Sequence, residues 1–324
     1  MHYSVYAGLG FAGLFGLIAP LIARRVSPAA ATWLLTTGGL ISAASGMGAL
    51  GLLAMTLIGQ DGAVASEGHW SIRALRHADP VRVPVALAAL ALVSIGVARL
   101  SWAALHRSRA MAAAYRLNRE VRDTGSDLVV LPDADPDAYA VPGRPGRIYV
   151  TRGMLSLLSR AECDVMFAHE RSHLRHHHHW HRSAALMASA LNPLLGSLPR
   201  TQVWLTERWA DEDAARGNDR VLVASALRNA AAARSGIRPA GALGFTSNTV
   251  EGRVAALLED PPRRHPVMLA LAAGVLLLSV MGTFDGVTDE AALFHSAVAV
   301  HEPAHLRRFL GHGATASVPT VRHR

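Results

Sequence analysis

Four long apolar runs, separated by polar and charged stretches, set the frame of this chain. They cover roughly Tyr3 to Ala23, Ala30 to Ile58, Val83 to Leu105 and Pro266 to Phe284. Each approaches or exceeds the roughly 20 residues that a helix needs to cross a bilayer. Between the third and fourth runs the pattern changes. Short β-type segments at Leu128 to Leu131, Ala138 to Val141 and Arg147 to Thr151 are divided by Pro, Gly and Asp, which predicts three short strands. Helical periodicity then resumes. Ser159-Arg160-Ala161-Glu162 reads as a capping box opening a helix that runs on to about Ala185, and a further helix is expected from about Thr201 to Arg216.

The pattern divides the chain into a three-helix transmembrane region (1–105), a domain with its own core (106–264), a fourth transmembrane helix (265–285) and a short tail, expected to be disordered (286–324). The apolar segment Ser183 to Leu198 needs a decision, because a single crossing there would put Glu207 across the membrane from His169 and His173. It is short and contains Pro193, so it reads as a core helix or a re-entrant hairpin that touches the membrane.

Composition supports a multi-pass membrane protein. The 324 residues are 51% hydrophobic and 17% charged, and the mean hydropathy is +0.23. The net charge of +8 comes from arginine, since the chain contains no lysine. These arginines flank apolar runs and form no dense block, which excludes direct nucleic-acid binding and favours a positive-inside reading. Arg24 and Arg25 follow span one, and Arg107, Arg109, Arg116, Arg119 and Arg122 follow span three. Arg263 and Arg264 precede span four, and Asp285, Asp289 and Glu290 follow it. The expected topology has both termini extracytoplasmic and the central domain cytoplasmic. Span one is no signal peptide by pattern, because its positive charges follow the apolar run. Gly8, Ala12 and Gly16, and likewise Gly39 and Ala43, give small-residue faces for packing within the bundle or between protomers of a homo-oligomer. The single cysteine, Cys163, excludes an intrachain disulfide and a C-x-x-C metal site.

The chemistry lies in His169-Glu170-Arg171-Ser172-His173. Histidines at i and i+4 share a helix face and can hold one zinc ion, and Glu170 stands beside it as a general base. A hydrolytic zinc site takes three protein ligands. Glu207 is the best third, because Asp211, one helical turn on, can orient a ligating imidazole from behind. The run His176 to His181 continues the predicted helix, with His177 and His181 on the face of His169 and His173, and reads as a solvated or headgroup-facing basic surface. A second H-E-x-x-H, His301 to His305, contains Pro303, which disfavours a helix through it, and the extended pattern fails because Gly311 precedes His312. It reads as a decoy, or at most as a weak extracellular metal-binding tail.

Together these features resemble the BlaR/MecR-type membrane zinc peptidases and, more distantly, the HtpX and CAAX-prenyl proteases. The resemblance is carried by Asp137 to Ala140, Arg147 to Leu155, the Glu162-to-His173 helix, Glu207 to Ala214, and Arg253 to Leu258. It implies a mainly α polytopic protein whose four transmembrane helices carry a zincin-like α+β metallopeptidase domain between spans three and four. It implies one Zn2+ held by His169, His173 and Glu207, Glu170 as the catalytic residue, and Asp211 behind the ligands. The strand holding Tyr139 and Ala140 resembles an edge that aligns peptide substrate by β-addition. Asp137 stands where that motif usually has asparagine.

The expected activity is hydrolysis of a protein substrate at the cytoplasmic face, such as a transcriptional repressor. The alternatives are membrane-protein quality control and a metal-binding sensor without turnover. Penicillin-sensing relatives need an S-x-x-K nucleophile motif, and a chain without lysine has none.

Overall fold

The computed structural model describes residues 4–78, 81–121, 126–235, 243–259 and 266–311. Arg122, Arg263, Arg264 and His312, used above, lie outside the described residues. Four helices are long and apolar enough to cross a membrane: α1 (Ser4–Arg25), α2 (Pro28–Gly59), α5 (Val83–Glu120) and α12 (Pro266–Gly311). Two short helices the sequence pattern did not announce, α3 (Gly62–Gly68) and α4 (Ile72–Ala78), lie between α2 and α5. The α3 start is fixed by Asp61, whose carboxylate accepts from the Ala63 and Val64 N–H groups.

The chain forms two compact units, each fed by all four long helices. One comprises residues 1–11, 45–95 and 277–324. Ala49, Leu53, Ala54 and Ala89 are buried at its centre, and the Trp70 indole packs edge-on against Phe294 at 4.9 Å. Here α12 corrects the expectation of a disordered tail, since it continues as helix to Gly311 and passes through Pro303. Proline removes one backbone donor, a loss that a helix this long survives.

The other unit, residues 12–44 and 96–276, holds the candidate chemistry. Strands β1 (Leu128–Leu131), β2 (Ala138–Val141) and β3 (Arg147–Thr151) form a sheet ordered β1-β3-β2. The central strand β3 is buried along its length, runs parallel to β1, and pairs antiparallel with β2 in the register Tyr139 opposite Tyr149. Then follow α6 (Arg152–Leu157), α7 (Arg160–Arg175), α8 (His178–Leu191), a 3-10 turn at Pro193–Leu195, α9 (Leu198–Ala215), α10 (Arg220–Ser235) and α11 (Leu243–Leu258). Alanines and leucines of α8 and α9 share one core with α1 and α2, including Ala185, Leu195, Leu198, Phe15 and Leu35. A polar contact runs through this core. Thr36 Oγ1 of α2 lies 2.8 Å from His181 Nδ1 of α8 and accepts from Gln202 Nε2 of α9 at 2.9 Å.

The Ser159–Glu162 capping box forms in full. The Ser159 backbone and hydroxyl, and Asn229, hold the Glu162 carboxyl below its ordinary value against the opposing effect of burial. A depressed carboxyl stabilises the fold above its unfolded pKa, and the contribution disappears as pH falls through the folded value. Ser159→Ala is expected to cost about 1 kcal/mol in thermal unfolding. The part of that difference that comes from the hydroxyl's hydrogen bond to the Glu162 carboxylate should vanish in acid, where Glu162 is protonated.

Candidate metal centre

Helix α7 does not run on to Ala185 as its periodicity suggests. It stops at Arg175, and His177 takes a left-handed conformation (φ 50°) before α8 begins. A non-glycine residue there costs roughly 1–2 kcal/mol. The bend turns α8 inward, so the histidine run is not the solvated face expected of it. His178 and His181 are buried, and His177 shares no helix face with His173. No second cluster of three metal-ligating groups exists among the described residues.

Helix α7 lies along α9, and their facing turns bring together His169, His173 and Glu207. His169 Nε2 stands 3.1 Å from His173 Nε2 and 3.6 Å from Glu207 Oε2, and His173 Nε2 is 3.5 Å from Glu207 Oε1. Tetrahedral ligands bonded at 2.0–2.1 Å stand about 3.3 Å apart, so this donor set fits one zinc ion. The other imidazole nitrogens are held from behind. His169 Nδ1 meets Asp211 Oδ1 at 3.0 Å, and His173 Nδ1 meets His178 Nδ1 at 2.7 Å. Both contacts leave the Nε2 lone pairs facing inward.

Arg253 organises the acidic half of the site. It makes a two-pronged pair with Asp211 (2.6 and 2.8 Å) and reaches Glu207 Oε2 at 2.8 Å. Arg182 of α8 holds the other Glu207 oxygen at 2.6 Å. Burial alone would raise both carboxyls. The His169 contact and the Arg253 charge instead hold Glu207 well below its ordinary value, and Arg253 lowers Asp211. Burial lowers His173 to about 3, helped by the charge on His169. Burial likewise opposes protonation of His169, but Asp211 and Glu207 outweigh it and lift the group to about 9.

Glu170 is buried beside this cluster. Burial pushes its carboxyl up, against the pull of His169 and of the Ala140 N–H that donates to it. Ala140 lies on β2, which has no further strand on its outer side among the described residues. The register makes Tyr139 a hydrogen-bonded pair with Tyr149, so Ala138 and Ala140 direct their backbone groups outward. Arg234 occupies part of that edge, donating to the Ala138 carbonyl at 2.5 Å and pairing with Asp137 at 3.0 Å. A cavity of about 500 Å3 joins β2, the metal cluster and the apolar side chains of Met166, Val223 and Leu227. The Tyr139 ring stacks on Tyr149 at 5.7 Å along one wall.

Residues 104–236 match peptidase family M48. The M48-like stretch contains the sheet, the H-E-x-x-H helix, Glu207 and Asp211, whereas Arg253 lies beyond it. A protein named Protease HtpX homolog, from Dictyoglomus thermophilum, is 31% identical over 88 residues, covering 26% of this chain and 29% of that protein. No solved structure matches. The chain thus aligns with under a third of its curated relative. The curated relative lies on the HtpX side of the resemblance read from the sequence, and neither similarity picks out the BlaR/MecR type.

Three participants escaped the sequence reading. Arg182 and His178 sit in a segment that looks like one continuous helix, and only the bend at His177 turns them toward the site. Arg253 showed only as part of a matched segment, with nothing in its spacing to tie it to Asp211. His178→Ala is expected to weaken zinc binding about 10–100-fold in chelator competition, because His173 loses the acceptor that fixes its tautomer. An unchanged affinity would show that His178 merely fills space.

Proposed function

We propose that this chain is a membrane-bound zinc endopeptidase that hydrolyses peptide bonds of a protein substrate at the cytoplasmic face. The observation that carries the reading is the convergence of His169, His173 and Glu207, with one ligand atom of each within 4.8 Å of the others and the buried Glu170 carboxyl beside them. The M48 match supports the peptidase chemistry, and the four long apolar helices support membrane attachment. The arginine flanks favour the cytoplasmic side.

His169, His173 and Glu207 would hold the ion, with Asp211 and His178 orienting the two imidazoles. Zinc, when bound, brings the pKa of a coordinated water to about 7 and polarises a carbonyl. Glu170 accepts the proton from the attacking water and returns it to the leaving amine. Its raised pKa suits both halves of that task. The outer edge of β2 offers a peptide backbone one rung of antiparallel pairing in exchange for the contacts that Arg234 makes to the Ala138 carbonyl and Glu170 to the Ala140 N–H, which lays the scissile bond along the cavity.

The finer reading is regulatory cleavage of one cytoplasmic protein such as a repressor, supported by the BlaR/MecR resemblance. The alternative is a quality-control role that degrades misfolded membrane proteins. Comparing proteomes of cells with the wild type and an inactive variant separates them. A single accumulating DNA-binding protein supports the first, and many accumulating membrane proteins support the second.

Metal removal tests the chemistry itself. A strong chelator should abolish hydrolysis of an unfolded protein, and one equivalent of zinc should restore it. With His169 titrating near 9 and His173 near 3, the metal-free pair carries one proton at pH 7. Zinc uptake should then release about one proton, with affinity rising about tenfold per pH unit up to pH 9. Calorimetry in buffers of different ionisation enthalpy reads this count. Hydrolysis that persists without metal would refute the proposal.

A further inference from the structure

Helices α8 and α9 form a hairpin with an unusual composition. From Ser183 to Pro199 it carries no charged residue, and Arg182 and Arg200 close the two ends. Its tip, the turn at Pro193–Leu195, packs on the middle of α1. A Cβ at Gly16 would lie 2.3 Å from the Leu194 carbonyl oxygen, so only glycine admits this approach. Leu198 fills the corresponding space at Gly39 of α2.

Depth follows from helix rise. Gly16 stands eight residues before Arg24, and Gly39 eleven after Pro28, which places them about 12 and 16 Å along their helices. Half of a bilayer's hydrocarbon is about 15 Å. The uncharged arms are unequal: ten residues from Ser183 to Asn192 reach about 15 Å, and four from Gly196 to Pro199 about 6 Å. The longer arm is too short to cross and long enough to approach the middle.

The polar groups at the tip are satisfied from inside, as hydrocarbon requires. Asn192 Oδ1 accepts the Leu194 N–H, and Ser197 Oγ donates to the Gly16 carbonyl at 2.6 Å. With that N–H diverted, the Ala190 carbonyl at the end of α8 accepts instead from Arg99 Nε at 3.1 Å. Arg99 therefore caps a helix C-terminus, where a cation is favoured. The outward side chains are apolar, with Leu186 40% and Leu194 55% exposed. Trp180, 62% exposed, stands near the base of the first arm, the level at which tryptophan marks a membrane interface.

We propose that the α8–α9 hairpin is re-entrant, immersed in lipid hydrocarbon beside α1 and α2 to about the bilayer midplane without crossing it. The proposal rests on the reading of α1 and α2 as membrane spans. It sets the height of the metal cluster. Glu207 lies seven residues beyond Arg200 and His178 five before Ser183, about 10 and 8 Å above the charge-free arms.

Spin labels on the full chain in phosphatidylcholine–phosphatidylglycerol vesicles test this. In a Cys163→Ala background, single cysteines replace Leu194 or Leu186. Reference labels replace the exposed Leu17 on α1, Leu40 on α2 and Leu157 on α6. Collision with oxygen against a water-soluble nickel chelate reports depth. Labels at Leu194, Leu17 and Leu40 are expected to favour oxygen, Leu186 to be shallower than Leu194, and Leu157 to favour the chelate. A chelate-accessible Leu194 with Leu17 and Leu40 in lipid overturns the hairpin while leaving the spans intact. Chelate access at all three overturns both. No readout depends on zinc or hydrolysis, so failure of the peptidase reading would be seen separately.

Discussion

Glu170→Gln should lower kcat by about 10²–10⁴ while leaving zinc content unchanged. The substitution keeps the shape of the side chain and an acceptor for the Ala140 N–H, and removes only the capacity to take a proton. Turnover of a quenched peptide and metal analysis of the same preparation read both halves. Because burial raises the Glu170 carboxyl, activity should fall in acid at a pH above the ordinary carboxylate range, as the base becomes protonated. A variant that binds zinc and still cleaves at the wild-type rate would remove Glu170 from the chemistry.

Arg253→Ala should be the most destabilising single change in the domain, by about 3–5 kcal/mol. The guanidinium serves Asp211 with two contacts and Glu207 with a third, and its loss would leave the buried Asp211 carboxylate with the His169 imidazole and no arginine partner. Arg253→Lys should recover only part of the loss, since one ammonium cannot reproduce the planar fork. Thermal unfolding of the three proteins in the same detergent decides it. A loss under 1 kcal/mol would mean that the pair contributes little beyond its own desolvation.

Much of this arrangement was legible in the chain. The three strands stand where alternation and turn residues put them, because Pro, Gly and Asp punctuate locally and need no tertiary context. The capping box starts α7 at the expected residue for the same reason. His169, His173 and Glu207 converge because one helical turn fixes the first two and the packing of α7 on α9 supplies the third. The bend at His177 was not legible. Histidine has no local preference for a left-handed backbone strong enough to announce it, and the conformation is held by burial of His178 and His181, which only the folded domain provides. Pro303 failed as a breaker for the opposite reason, since a local penalty is outvoted by a long helix on both sides. Arg253 was hidden because an ion pair between α9 and α11 leaves no periodic trace.

The contact among Thr36, His181 and Gln202 bears on how variants in the second apolar helix should be judged. Thr36→Val leaves hydropathy and helix length almost untouched, and any scale that scores spans by apolarity would pass it as silent. Yet His181 is the neighbour of Arg182, which grips Glu207, and lies one turn from His178, which backs His173. A methyl in place of that hydroxyl takes a partner from the His181 imidazole of α8 and leaves the Gln202 amide of α9 with the Thr32 carbonyl alone. In this chain some lesions of the metal site will therefore arise at a buried hydroxyl of an apolar helix, far in sequence from the H-E-x-x-H motif.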